Sequence, residues 1–63
     1  MSLKFNADEV LQMAERIEVN GAEFYTKAAD LQARKADAAF LRSLARMEYG
    51  HRDTFAAMRK ALP

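Results

Sequence analysis

Three side chains of this sequence could together bind a metal ion: Glu18, Glu48 and His51. Glu48 and His51 form a Glu-x-x-His motif, and residues three apart share one face of a helix, so their side chains can converge on one ion. Glu18 adds a second carboxylate. Two carboxylates and one imidazole suit iron or manganese, and zinc less exclusively. The absence of Cys excludes thiolate metal sites, a Cys nucleophile and disulfides.

The composition predicts that these residues lie on long helices. Strong helix formers dominate, Gly and Pro are rare, and no segment alternates as a strand would. We predict an all-α fold in a single domain spanning 1–63, with helices at about 7–33 and about 38–61 joined by a turn at about 34–37. Because the connection is short, the helices should pack antiparallel as a two-helix hairpin.

Capping residues predict where each helix begins. Asn6 is a favourable N-cap, and Glu9 lies three residues later, as in a capping box. Asp37 is the corresponding candidate for the second helix. Arg34 and Lys35 are cations that suit the end of the first helix.

An apolar stripe runs along the second helix and contains two of the candidate ligands. Its members follow spacings of three and four, which is typical of a helix in a bundle. The stripe consists of Leu41, Leu44, Glu48, His51, Phe55, Met58 and Leu62. Arginines such as Arg52 and Arg59 fall mainly off this stripe, where we expect them to be solvated.

The first helix has a wider apolar face. One row is Val10, Ile17, Phe24 and Leu31, and a neighbouring row is Leu11, Glu18 and Tyr25, with the small residues Ala14, Gly21 and Ala28 between them. Glu18 therefore lies on a surface that should face a core, whereas Glu15 should be solvated. In an antiparallel pair Glu18 and Glu48 fall at similar heights, within roughly a turn or two at about 1.5 Å per residue.

The site and the apolar surface both indicate a second copy of the chain. A domain of 63 residues is marginally stable alone and usually adds a metal or a partner chain. Three side chains do not complete a metal site in a two-helix hairpin that is open to water on one side. A lone hairpin would expose more apolar surface than a soluble monomer usually tolerates, namely Val10, Ile17, Phe24, Leu44 and Phe55. We therefore predict a homodimer or a higher homo-oligomer.

Two segments carry a resemblance to a known superfamily. Residues 15–25 resemble the first helix of rubrerythrins and related ferritin-like proteins, and residues 44–51 resemble their second helix. The single-hairpin chains most resembled are encapsulin-associated ferritins. In those, a Glu, a Tyr seven residues later and a Glu-x-x-His form a ferroxidase site across a dimer, an order that Glu18, Tyr25, Glu48 and His51 match.

The resemblance covers about residues 7–62 and implies a ferritin-like four-helix bundle made by two hairpins. It implies a non-haem di-iron centre with Glu18, Glu48 and His51 as ligands, Tyr25 as a further site residue, and Mn or Zn as substitutes. The implied activity is oxidation of Fe(II) or reduction of peroxide or oxygen. The resemblance to encapsulin-associated ferritins implies an encapsulating shell protein as a partner. An external electron donor is the other implied partner, because a chain without Cys lacks the Cys-rich electron relay of rubrerythrins.

A second interpretation remains open at this point. Glu48 and His51 could be a surface pair, Glu18 a solvated edge residue and Tyr25 an ordinary core tyrosine. The chain would then be a non-catalytic helical hairpin that dimerises or docks on a partner. In either case a net charge of +1 and short apolar runs argue against nucleic-acid and membrane partners. We expect a cytoplasmic location, including a protein compartment within the cytoplasm.

Overall fold

Two α-helices make up the fold. The computed structural model describes residues 4–63, in which α1 spans Ala7–Asp30 and α2 spans Lys35–Lys60. The two helices pack against each other and no strand occurs within this described range. The predicted all-α fold is therefore confirmed. Neither helix contains an apolar stretch long enough to cross a membrane.

Ion pairs at both ends show that the hairpin is antiparallel. Next to the turn, Arg42 Nη2 lies 2.8 Å from Asp30 Oδ1. At the opposite end, Arg59 Nε lies 3.6 Å from Asp8 Oδ1. The hairpin measures 48 × 28 × 9 Å along its principal axes, so it is a single layer of two helices.

The beginning of α1 is fixed by the predicted capping box. The Asn6 side chain accepts a hydrogen bond from the Glu9 backbone N–H at 2.8 Å. In return, Glu9 Oε1 accepts from the Asn6 backbone N–H at 3.2 Å. These bonds satisfy backbone donors that have no partner inside the helix.

The turn differs from the prediction. α1 ends at Asp30 rather than near 33, because the Leu31 and Gln32 N–H groups bond to carbonyls only three residues back and tighten the last turn. Arg34, not Asp37, is the N-cap of α2, and its side chain makes no capping bond. Asp37 instead lies in the first helical turn, where the helix dipole favours its negative charge.

Alanine forms the contact between the helices. The only buried residues in the described range are Ala22 and Ala29 on α1 and Ala38 and Ala45 on α2, each pair seven residues apart. Their small side chains let the backbones approach closely. The row of small residues on α1, Ala14, Gly21 and Ala28, is half-buried. No large side chain of this range is fully buried, so the hairpin lacks the second layer that normally covers an apolar helix face.

Large apolar side chains remain exposed along one side of each helix. Leu44 and Phe55, which we had expected to be exposed, are half-buried. We define the open apolar face as the exposed side chains Val10 at 50%, Ile17 at 67%, Phe24 at 67%, Met47 at 56% and Met58 at 49%.

A further ion pair between the helices joins two residues that the sequence had placed in solvent. Arg59 Nε lies 3.4 Å from Glu15 Oε2, and only 18% of the Glu15 side chain is exposed. Glu15 Oε2 is buried and makes no hydrogen bond with the described residues. Arg59 Nε is therefore close enough to Glu15 Oε2 for an ion pair, but its N–H group is not aligned for a hydrogen bond. Arg59 therefore supplies the counter-charge of the Glu15 carboxylate.

We predict that Arg59→Gln destabilises the hairpin by about 1–2 kcal/mol, because it leaves the Glu15 carboxylate poorly solvated without a counter-charge. The half-buried Arg52 provides a control within α2. Its ion-pair partner Asp53 is its exposed neighbour in sequence, its guanidinium lies 5.0 Å from the centroid of the Tyr49 ring, and exposed contacts of both kinds contribute little. Urea unfolding of Arg59→Gln and Arg52→Gln measures the difference. Equal stability of the two variants would show that the ion pair between Arg59 and Glu15 does not contribute to the free energy of unfolding.

Candidate metal centre

The structure brings Glu18, Glu48 and His51 together at the middle of the hairpin. Each of them offers a ligand atom, and these atoms all lie within 4.8 Å of one another. Glu18 comes from α1, and Glu48 and His51 lie one turn apart on α2. The alanine contact makes this convergence possible, because larger residues between the helices would hold the two carboxylates farther apart.

The donor set and its spacing fit a divalent metal ion. Bonds of about 2.0–2.2 Å to oxygen and nitrogen ligands place two ligand atoms at most roughly 4.4 Å apart. Distances of up to 4.8 Å therefore need only small side-chain rotations to close around one ion. Carboxylate and imidazole ligands together are suited to iron, manganese and zinc.

The carboxyl groups of Glu18 and Glu48 lie close enough to repel each other when both are ionised. A hydrogen bond with Glu18 raises the pKa of the Glu48 carboxyl above its ordinary value of 4.5; partial burial and the negative charge of Glu18 raise it further, and His51 opposes the shift. Two neighbouring carboxylates that stabilise a proton between them also favour a cation at that place. The pair can therefore hold either a proton or a metal ion.

His51 stands at the edge of the site. Its Nδ1 lies 3.5 Å from Glu18 Oε2, and 56% of the imidazole is exposed against 17% of the Glu18 side chain. The two carboxylates thus form the inner part of the cluster and the imidazole its outer rim. A second hairpin placed over this rim would cover the imidazole and enclose the site.

Gly21 forms one wall of the site, a role that the sequence did not reveal. A Cβ atom at Gly21 would lie 3.3 Å from Glu48 Oε2, 3.5 Å from its Cδ and 3.6 Å from its Cγ. The Glu48 carboxylate therefore rests against the backbone of α1. The available signal was positional, since Gly21 follows Glu18 by three residues and so shares its face.

Tyr25 lies farther from the three ligands. It follows Glu18 by seven residues, which places it about 10.5 Å along α1. Its half-buried ring packs edge-to-face on Phe24, with the ring centroids 5.6 Å apart. The hydrogen bonds that we find among the described residues do not include its hydroxyl, so the structure favours packing as the role of Tyr25 in the isolated hairpin.

On α1, the open apolar face borders the candidate site. Successive residues of a helix are about 100° apart. Gly21 therefore lies between Glu18 and Ile17 around the circumference, and Phe24 lies beyond Ile17. Because Gly21 faces Glu48, the exposed Ile17 and Phe24 side chains lie on the same side of the hairpin as the site.

The same order recurs on α2. His51 lies between Glu48 and Met47 around this helix, and Met58 follows His51 by two turns. Met47 and Met58 are exposed, so apolar side chains border the site from this helix as well. Because the helices are antiparallel, this order places the apolar side chains of both helices on the same side of the hairpin. The candidate ligands therefore lie at the centre of the open apolar face.

Comparisons with protein-family models, curated proteins and solved structures give no match. The likeness of residues 15–25 and 44–51 to rubrerythrins and encapsulin-associated ferritins therefore stays an interpretation of the sequence. The convergence of Glu18, Glu48 and His51 makes these three residues a candidate metal site.

Proposed function

We propose that two copies of this chain form a four-helix bundle that binds a pair of iron ions and oxidises Fe(II), with peroxide or oxygen as the electron acceptor. The observation that supports this proposal is the convergence of two carboxylates and one imidazole at the centre of the open apolar face. Burying that face against a second copy would also bury the three ligands. Assembly and metal binding would therefore use the same surface.

The number of ligands favours two metal ions per dimer. One hairpin offers Glu18, Glu48 and His51, so two hairpins offer four carboxylates and two imidazoles. Ferritin-like di-iron bundles use this set, with a Glu from each of two helices and a Glu-x-x-His from each of the others. The remaining site residue of the resemblance, Tyr25, enters the proposal through that resemblance alone.

In this proposal the chain itself binds, orients and exchanges protons. The carboxylates of Glu18 and Glu48 offset the positive charge of the ions, and His51 contributes a neutral nitrogen. Binding displaces the proton that the carboxyl pair otherwise favours. Iron supplies the redox chemistry: two Fe(II) ions, as substrate, give one electron each to hydrogen peroxide, which takes up two protons and leaves as two water molecules.

The proposed partners follow from the same chemistry. A chain without Cys has no thiolate-bound relay, so continued reduction of peroxide requires an external electron donor. An encapsulating shell protein, as in the resembled ferritins, would instead receive the oxidised iron. Manganese and zinc would compete for the same ligands, and zinc, which has no redox chemistry, would inhibit.

Iron analysis combined with native mass measurement tests the proposal. The protein is loaded with Fe(II) under anaerobic conditions, desalted and weighed, and iron oxidation is then followed after peroxide or oxygen is added. We expect two iron ions per dimer and oxidation faster than in protein-free buffer. A dimer that retains no stoichiometric iron and is indifferent to chelators would overturn the proposal and favour the non-catalytic dimerisation or docking module.

We predict that His51→Ala weakens Fe(II) binding by at least about 10–100-fold, the loss typical of removing a group that only supports a ligand, since His51 is itself a proposed ligand. Helix content should persist because Ala has the higher helix propensity. Arg46→Ala is the matched control, as it replaces an exposed side chain of the same helix. Anaerobic Fe(II) titration and circular dichroism measure the two effects. Full iron occupancy in His51→Ala would show that His51 is not a ligand.

A further inference from the structure

We infer that Gly21 is a positioning residue for Glu48: its missing side chain leaves the space in which the Glu48 carboxylate reaches its metal-binding position. This inference rests on the proposed metal site. It concerns a residue of α1 that offers no ligand atom. Gly21 would act on the metal only through the position of Glu48.

The backbone gives no other reason for glycine at this position. Gly21 lies in the interior of α1 and has no positive φ angle. Any residue can adopt this conformation, and glycine is less favourable than alanine in a helix interior. A glycine here therefore lowers helix stability without a conformational need.

The contact with Glu48 supplies the reason. A Cβ at Gly21 would come within 3.3 Å of Glu48 Oε2, which is tighter than ordinary van der Waals contact. The end of a Glu side chain is flexible, so the carboxylate could retreat by a few tenths of an ångström at little cost to folding. A metal site is less tolerant, since ligand distances hold to within about 0.2 Å.

Alanine at position 21 should therefore have two opposite effects. It should stabilise the metal-free helix through its higher propensity. It should weaken metal binding, because the added methyl group would narrow the space in which the Glu48 carboxylate rotates to close on an ion with Glu18 and His51. A purely structural role of Gly21 could not produce this combination, as stability and metal affinity would then change in the same direction.

Gly50 provides a matched control in the same chain. It also lies inside a helix, α2, but a Cβ there would meet nothing within 4 Å. The experiment compares Gly21→Ala with Gly50→Ala in thermal melting of the metal-free protein and in anaerobic titration with Fe(II) alone. We expect both variants to melt several degrees above the parent protein, by about 4–8 °C. Only Gly21→Ala should lose Fe(II) affinity, by about 10-fold or more.

Thermal melting with Fe(II) provides a second readout. Added Fe(II) should raise the melting temperature of Gly50→Ala as much as that of the parent protein, and that of Gly21→Ala less. Equal Fe(II) affinity of Gly21→Ala and Gly50→Ala would overturn the inference about Gly21 while leaving the metal site in place. A parent protein that binds no Fe(II) would overturn the proposed function, and with it the inference.

Discussion

Replacement of Ile17 by lysine is expected to convert the proposed dimer into a monomer. Ile17 is 67% exposed in the hairpin and borders the candidate site on α1. In a dimer that buries the open apolar face, Ile17 from each copy would be removed from water. A lysine at this position would have to bury an ammonium group without a partner, or keep the two hairpins apart.

The expected magnitude follows from apolar burial. Burying one Ile side chain contributes about 1.5–3 kcal/mol. Because a symmetric dimer contains the residue twice, Ile17→Lys should weaken association by roughly 3–6 kcal/mol, or about 10²–10⁴-fold in Kd. The loss of ligands from the second copy should also lower Fe(II) affinity.

Asn20→Lys is the control for this experiment. Asn20 is exposed on the same helix and lies outside the open apolar face, so the variant adds the same charge without removing apolar contact. Sedimentation at micromolar concentration should find Asn20→Lys as a dimer and Ile17→Lys as a monomer. A parent protein that sediments as a folded monomer would contradict the prediction, because there would be no dimer for Ile17→Lys to dissociate.

The sequence predicted those features of the fold that depend on local chemistry. The Asn6 capping box and the two long helices follow from side-chain propensity and spacing. The turn was misplaced because Asp37 was taken as a cap, although an acidic residue is equally favourable inside the first turn. Local patterns could not distinguish these two positions.

Contacts between the helices were harder to predict. The predicted apolar faces consisted mainly of large side chains, but alanines such as Ala22 and Ala45 form the contact between the helices. Glu15 and Arg59 were expected in solvent, whereas they form an ion pair between the helices. Both outcomes depend on the rotation of each helix about its axis, which a broad apolar face on α1 does not specify.

The candidate site was partly predictable for a similar reason. The spacing of Glu48 and His51 fixes their common face, and the short turn fixes the height of Glu18. The contact between Gly21 and Glu48 depends on the distance between the helix axes. That distance follows from the alanine contact and could not be read from the motif.

The second large effect concerns Glu48→Gln and pH. The pKa of Glu48 is raised above its ordinary value of 4.5, chiefly by the hydrogen bond with Glu18. A raised folded-state pKa gives a stabilising contribution that is complete below the unfolded pKa of 4.5 and is lost as pH rises through the folded-state pKa. The metal-free protein should therefore lose stability as pH increases above about 4.5, and Glu48→Gln should remove this part of the pH dependence.

Metal binding should reverse the trend, because Fe(II) displaces the proton and offsets the two carboxylate charges. Fe(II) should raise the melting temperature of the parent protein more at about pH 7 than at about pH 5. The melting temperature of Glu48→Gln should hardly change when Fe(II) is added. Glu23→Gln, which alters an exposed carboxylate of α1, should behave like the parent protein in both respects. Thermal melting across pH, with and without anaerobic Fe(II), distinguishes the variants. If the parent protein and Glu48→Gln respond alike to pH and to Fe(II), Glu48 belongs to no metal site. If Fe(II) stabilises neither protein at any pH, the open apolar face is the surface of a metal-independent interaction module.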